Sequence, residues 1–260
     1  MKHLLTAVIV ALASVASLSA RNTFEHKSFV SSDGTSLNYR LLRPSDTGKG
    51  KKFPLVIFMH GLGERGTDNE RQLVHGAQMF LNPVNQEEFP AYVLFPQCPE
   101  TAFWAYSKIP SSFGALTAEE QMPAPYKAVK EMIDAYLELP DVDRSRVYIL
   151  GISMGAMATY DMVDRFPETF AAAVPVCGAV DPSRLEDIEG VNFRIFHGDA
   201  DPVVPVECSR EAYLALKKAG IKVEYTEFPG CGHDSWNPAF CLPDFMEWMF
   251  RQKKSRKYLK

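Results

Sequence analysis

The stretch V-Y-I-L-G-I-S-M-G-A-M-A-T-Y-D, Val147 to Asp161, decides how the chain is read. A short apolar run meets Gly151-Ile152-Ser153-Met154-Gly155, and small residues follow. This is the pattern of a strand that turns sharply into a helix. Glycines on both sides of the serine permit strained dihedrals and a close helix, which pushes the serine oxygen into the open. The helix start also aims backbone N–H groups and a positive dipole end at developing negative charge. The same five residues would suit a serine that merely joins strand to helix. Ser153 reads as a nucleophile only if the chain also supplies a base, an acid and an oxyanion site.

Working outward, similar apolar runs recur: P-L-V-I-F-M-H from Pro54, A-Y-V-L-F-P from Ala91, A-A-A-V-P-V from Ala171 and F-R-I-F-H-G from Phe193. Continuous apolar runs of this length suit strands buried on both faces. A last run, V-E-Y-T-E-F, alternates and suits a place nearer an edge. Tyr126, Val129, Ile133, Tyr136 and Leu137 recur at helical spacing, and Pro140 stops that helix. Glu207 to Ala219 reads as another, with Gly220 as its C-terminal stop. Ahead of these, F-E-H-K-S-F-V and S-L-N-Y-R-L-L-R-P flank Asp33-Gly34, which reads as a β-hairpin. Strand–helix alternation implies an α/β fold with a mostly parallel, doubly wound sheet and an N-terminal antiparallel hairpin at one edge. The segment Pro99 to Pro123 is the least regular and suits a binding loop or lid.

Parallel α/β sheets bind ligands at the carboxyl ends of their strands. After the Phe193 run comes H-G-D-A-D-P-V-V-P, where Asp199 and Asp201 both qualify as the acid that orients a histidine. After V-E-Y-T-E-F comes P-G-C-G-H-D-S-W, with His233 in a Gly-rich loop. The order Ser, Asp, His is the one expected for a nucleophile elbow on this sheet type. After the Pro54 run, H-G-L-G-E-R-G offers a turn whose Leu62 N–H, paired with Met154 N–H, forms the candidate oxyanion hole. His60 and His197 each end a strand beside a glycine and are expected to orient loops. His75 is placed on a helix without a chemical role, and Glu64, Arg65, Asp68 and Asn69 are read as a salt-bridged loop.

The chain has 260 residues, a formal net charge of -4 and five cysteines. The length suits one domain with a sizeable core, and the mildly acidic balance gives no reason to expect nucleic acid as a partner. The basic stretch Arg251 to Lys257 is read as a frayed, solvated tail. Residues 1–19 carry a basic start, an apolar run and small residues at Ser17 and Ser19, the pattern of a signal peptide cleaved after Ser19. This leaves residues 20–260 as one domain, secreted or periplasmic, without stable membrane insertion after cleavage. Cys231 and Cys241 are near enough in sequence to pair, though an odd count leaves at least one free thiol. The Cys231, His233, Cys241 spacing matches no common zinc pattern, so no metal is expected.

Taken together, H-G-L-G-E-R-G-T-D-N, P-Q-C-P-E, G-I-S-M-G, P-V-C-G, H-G-D-A-D-P-V-V-P and G-C-G-H-D-S-W-N resemble the α/β-hydrolase superfamily. More narrowly, they resemble secreted esterases of the phospholipase/carboxylesterase and polyhydroxybutyrate-depolymerase/feruloyl-esterase type, including proteins labelled "predicted peptidase". The resemblance implies an α/β-hydrolase fold and a serine esterase that needs no cofactor. It selects Asp201 over Asp199 as the acid. It also puts Trp104 and Trp236 near the cleft, as substrate contacts or as packing that holds the loops. The large inserted lid of true lipases is not obvious, which argues against long-chain lipolysis. The expected substrate is a small-molecule or polysaccharide-linked ester, with feruloyl and acetyl groups on plant polysaccharide as the specific case. The alternatives are a serine peptidase of the prolyl-oligopeptidase type and a non-catalytic binding protein on the same fold. Against these stand the lack of room for a gating domain and the presence of all three triad members.

Overall fold

The computed structural model describes residues 23–45, 50–108, 113, 116 and 119–258. The leader read at 1–19 lies outside them. Eight strands form one sheet: β1 (Glu25–Val30), β2 (Ser36–Leu42), β3 (Phe53–Met59), β4 (Tyr92–Pro96), β5 (Val142–Ile152), β6 (Ala172–Val176), β7 (Asn192–Gly198) and β8 (Val223–Phe228). Their order is β1-β2-β4-β3-β5-β6-β7-β8. The β1–β2 and β2–β4 pairs are antiparallel and the others parallel. The hairpin turns where Asp33-Gly34 predicts, with Gly34 at φ 84°. The alternating run Val223–Phe228 is an edge strand, half-buried throughout. An exposed side needs polar residues, and this one has Glu224, Thr226 and Glu227.

The helices are α1 (Ala77–Leu81), α2 (Pro83–Glu88), α3 (Ala124–Leu137), α4 (Met154–Arg165), α5 (Glu207–Lys218), α6 (Trp236–Phe240) and α7 (Phe245–Phe250). Side chains along β3 alternate between two cores, as the pleat requires. Leu55, Ile57 and Met59 pack on the side of α3, α4 and α5, while Val56 and Phe58 pack on the side of α1 and α7. The chain leaves β3 toward β4 on one side and returns to β5 on the other. The crevice between the ends of β3 and β5 is therefore the topological switch point where such sheets bind ligands.

Two contacts hold that crevice narrow. Gly155, in the first turn of α4, faces the carbonyls of Met59 and His60, and a Cβ there would overlap Met59 O. His60, wholly buried, bridges β3 to the chain beyond β4. The Cys98 N–H donates to its Nε2 at 2.9 Å, so Nδ1 carries the proton and faces Gly61 O at 2.6 Å. Burial holds the imidazole neutral, with its pKa pushed down to about 4.

The basic C-terminal stretch is docked, not frayed. Gln252 and Lys254 are buried. Lys254 N–H donates to Ser145 O at 2.8 Å, and its ammonium donates to Pro167 O and to Phe170 O. Tyr148 Oη adds a bond to Gln252 O at 2.9 Å. These carbonyls lie past the end of α4 and on β5, where the ammonium satisfies acceptors that would otherwise be buried unpaired. The irregular segment after Pro99 is tied down in a similar way. Arg184 reaches Leu116 O at 3.3 Å while pairing with Asp161 and Asp164, and Arg165 reaches Glu119 O at 2.6 Å.

Replacing Gly155 with Ala should force α4 away from β3. The expected result is a stability loss of roughly 1–3 kcal/mol, read by thermal unfolding, together with reduced turnover from displacement of the helix start. His60 also makes a pH prediction. Its unfolded form takes a proton near pH 6.5 and its folded form only near pH 4, so the unfolded state binds more protons between those values. Stability from this group is present above pH 6.5 and falls by about 3 kcal/mol as pH drops to 4. His60→Gln should be less stable at neutral pH but show a shallower decline over that window in urea titrations.

Candidate active site

Ser153 sits at the turn from β5 to α4 with φ 52° and ψ -118°. Few non-glycine residues adopt a positive φ, and the surrounding contacts hold it there. Its N–H donates to Val176 O at 2.9 Å, at the end of β6. Cys177 N–H in turn donates to Phe196 O of β7 at 2.8 Å, so the three strand ends are stitched together. Met154 begins α4, and its N–H has no acceptor within the helix by geometry. A Cβ built on Gly61 would lie 3.6 Å from Ser153 Cβ, which puts the Gly61–Leu62 turn against the serine. Both N–H groups read as oxyanion donors thus belong to chain that borders Ser153.

The acid and the base come from adjacent strand ends. Ser153 Oγ lies 2.8 Å from His233 Nε2, and His233 Nδ1 lies 2.7 Å from Asp201 Oδ2. With Asp201 ionised, Nδ1 carries the proton and Nε2 is free to accept one from Ser153. The Asp201 side chain is fully buried and its pKa lies below the usual carboxylate range. Burial opposes this, but donors from His197, His233 and the Val203 and Val204 N–H groups outweigh it. Val203 and Val204 donate to Oδ1 at 2.8 and 3.0 Å.

His197 has the orienting position expected of it, through Asp201. Its Nδ1 faces Ser209 Oγ at 2.6 Å, and its Nε2 faces Val204 O at 3.0 Å and Asp201 Oδ2 at 3.3 Å. Two acceptors at Nε2 require the proton there. Asp199 is exposed and accepts from Gly230 N–H at 2.6 Å, so it braces the histidine loop while Asp201 meets the histidine. Gly198 permits this approach, since a Cβ there would overlap Cys231 O.

Trp104 does not reach the cleft surface. It is wholly buried, lies tilted with its ring 5.1 Å from that of His60 and donates its indole N–H to His60 O at 3.2 Å. Its contribution is packing, because the indole donor is satisfied inside. Trp236 is half-buried, with its ring 5.8 Å from that of His233. His75 lies in a turn before α1, not on a helix. Its ring is 4.9 Å from Trp236 and its Nε2 is 3.6 Å from Glu64 Oε1. The loop around Asp68 is braced as read, though mainly by neutral donors: Asp68 Oδ1 accepts from Gln97 Nε2 at 2.7 Å and Glu70 N–H at 2.9 Å.

All five thiols are free, and Cys98, Cys177 and Cys208 are buried. Cys177 was legible only as part of P-V-C-G. Its φ of 44° and its place after β6 put its thiol beside the histidine loop, 3.6 Å from His233 O. Cys177, Asp201 and His233 could present three donors to a cation. His233 and Asp201 are bonded to each other, however, and burial pushes the thiol up to about 12. A metal ion here would compete with the Ser–His–Asp arrangement.

The family model of phospholipases and carboxylesterases matches residues 46–242. Carboxylesterase SOBER1 of Arabidopsis thaliana is 24% identical over 217 residues, covering 76% of this chain and 90% of that protein. An endo-1,4-beta-xylanase/feruloyl esterase of Xylanibacter ruminicola is 27% identical over 205 residues, covering 78% of this chain but 27% of the longer protein. The crystal structure of a thermostable esterase superposes with a TM-score of 0.81 at 37% identity, covering 89% of this chain and 63% of that one. With a nucleophile elbow at a switch point and a family match over most of its length, the chain belongs to the phospholipase/carboxylesterase family of α/β-hydrolases.

Proposed function

We propose that this carboxylesterase-type hydrolase is a secreted enzyme that works through an acyl-enzyme on Ser153 and removes feruloyl or acetyl groups from plant polysaccharide. The observation that carries the mechanism is the unbroken relay from Ser153 Oγ through His233 to Asp201, at 2.8 and 2.7 Å. His233 Nε2 takes the hydroxyl proton as Ser153 Oγ attacks the ester carbonyl. The oxyanion is received by Leu62 and Met154 N–H, each such donor being worth about 3 to 4 kcal/mol of barrier. His233 then gives its proton to the departing alcohol. A water molecule repeats the sequence, loses its proton to His233 and releases the acid, and Ser153 regains its hydrogen. Asp201 stays ionised throughout, holding Nδ1 protonated and stabilising the imidazolium.

Support for the acyl group comes from the feruloyl-esterase relative, and support for export from the leader-like residues 1–19. Neither the triad nor the oxyanion turn requires a metal or an organic cofactor for these steps.

Ser153→Ala and His233→Ala should each lower turnover of an aryl acetate on the order of 10⁴-fold or more, without adding in the double variant, and with circular dichroism unchanged. A fluorophosphonate probe should label the native protein and fail to label Ser153→Ala. An unlabelled native protein would count against nucleophilic catalysis. Asp201→Asn should cost about 10⁴-fold, and Asp199→Asn far less; the reverse order would reassign the acid. For the substrate, methyl ferulate and acetylated xylan should both be hydrolysed. Activity confined to aryl acetates would remove the polysaccharide reading, and faster cleavage of fluorogenic dipeptides would replace the esterase by a peptidase.

A further inference from the structure

The wall of the cleft between the oxyanion turn and His233 carries polar groups that the relay does not use. A Cβ built on Gly61 would lie 3.0 Å from Glu64 Oε2 and 3.6 Å from Ser153 Cβ. The Glu64 carboxylate therefore leans over the turn that bears Leu62, one side chain away from the nucleophile. Its Oε1 faces His75 Nε2 at 3.6 Å, beyond direct hydrogen-bond distance. The His75 ring then meets Trp236, and Trp236 meets His233. Glu64, His75 and Trp236 thus make a continuous arc from the oxyanion turn to the base.

Three observations suggest that this arc is more than a brace. Glu64 and His75 keep 14% and 29% of their side chains exposed, so neither is sealed from solvent. Arg65, the adjacent cation, is occupied elsewhere, donating to Leu62 O, Glu100 O and Ala102 O and lying 4.6 Å over the Phe103 ring. Trp236 Nε1 is buried with no acceptor, so the surface its indole offers is ring carbon. An acceptor, an imidazole and an apolar ring surface stand together, the first two paired at 3.6 Å.

We propose that Glu64, His75 and Trp236 form the leaving-group subsite, built for an alcohol that bears a second hydroxyl next to the esterified oxygen, as in glycosyl and glyceryl esters. This rests on the esterase reading above. His233 protonates the departing oxygen, so the alcohol must lie on the His233 side of Ser153, where Trp236 stands. A hydroxyl lying beside this pair would donate to Glu64 and accept from His75, while the carbon face of the alcohol rests on the indole. A methyl alcohol has nothing for either group.

The test compares kcat/KM for four esters of one acid: methyl acetate, glyceryl monoacetate, a methyl acetylxyloside and acetylcholine. The native enzyme should favour the two hydroxylated alcohols over methyl acetate by roughly tenfold or more. Glu64→Ala should erase that preference chiefly through KM, losing several-fold less on methyl acetate than on the hydroxylated pair. Glu64→Gln, which keeps an acceptor, should recover part of it, and His75→Phe should lower it. The glyceryl and xyloside arms distinguish a glycerol from a sugar as the alcohol. Equal losses on all esters would make Glu64 a support of the turn and overturn the subsite, as would a native preference for acetylcholine. Hydrolysis of methyl acetate with no preference among alcohols would remove the subsite and leave the esterase reading standing. No hydrolysis of any ester, by a protein whose unfolding curve is native, would remove both.

Discussion

The structure depends on how closely the first turn of α4 approaches the end of β3. Gly155 lies against the Met59 and His60 carbonyls with no space for a side chain. That contact places the helix start beside the Gly61–Leu62 turn. It also holds Ser153 at a positive φ, with its oxygen against His233 Nε2. Strain of this kind, of order 1–3 kcal/mol, persists only where neighbours over-determine the backbone. Here the neighbours are the Val176 carbonyl that receives the serine N–H and the β3 end that blocks retreat.

A second constraint acts on the acid. Asp201 is buried, and a buried carboxylate is costly unless donors surround it. Two backbone N–H groups and two histidines fill its oxygens, so the Asp201 charge is already solvated by the protein beside His233. This is preorganisation in the electrostatic sense: the donors around the carboxylate are fixed in place by the fold. His197 takes part by holding Asp201, and Asp199 by holding the loop that carries His233.

Much of the remaining chain keeps these ends still. His60 joins β3 to the segment after β4 and gives Trp104 its acceptor, which is why a tryptophan near the cleft in sequence is absent from its surface. Arg184 and Arg165 tie the irregular segment to the last turn of α4, and Lys254 holds the chain just past the same end. With Gly155 against β3 at its start, α4 is held at both ends.

The order of strands and helices was legible from apolar periodicity, because burial on two faces requires continuous apolar runs and an edge permits alternation. The hairpin, α3, α5 and the edge position of β8 followed from those patterns. Ser153 and His233 were legible because an elbow and a Gly-rich loop each need a particular local sequence. Other features depended on distance in space. Both Asp199 and Asp201 qualify from their place after β7, and the resemblance alone selects Asp201; the fold gives the physical reason, a buried pocket of donors around Asp201. Contact and packing are equally open for Trp104 in the sequence, and the His60 carbonyl against its N–H decides for packing. The basic tail looked solvated because charge suggests water, yet buried carbonyls past α4 recruit Lys254. His75 lost its helix and gained Glu64 and Trp236 as neighbours, contacts between segments far apart in the chain. Local sequence determined what each segment is and which residues could do chemistry. Only the tertiary structure decided which polar groups meet, because pairing in a dry interior depends on which atoms packing brings within about 3 Å of each other.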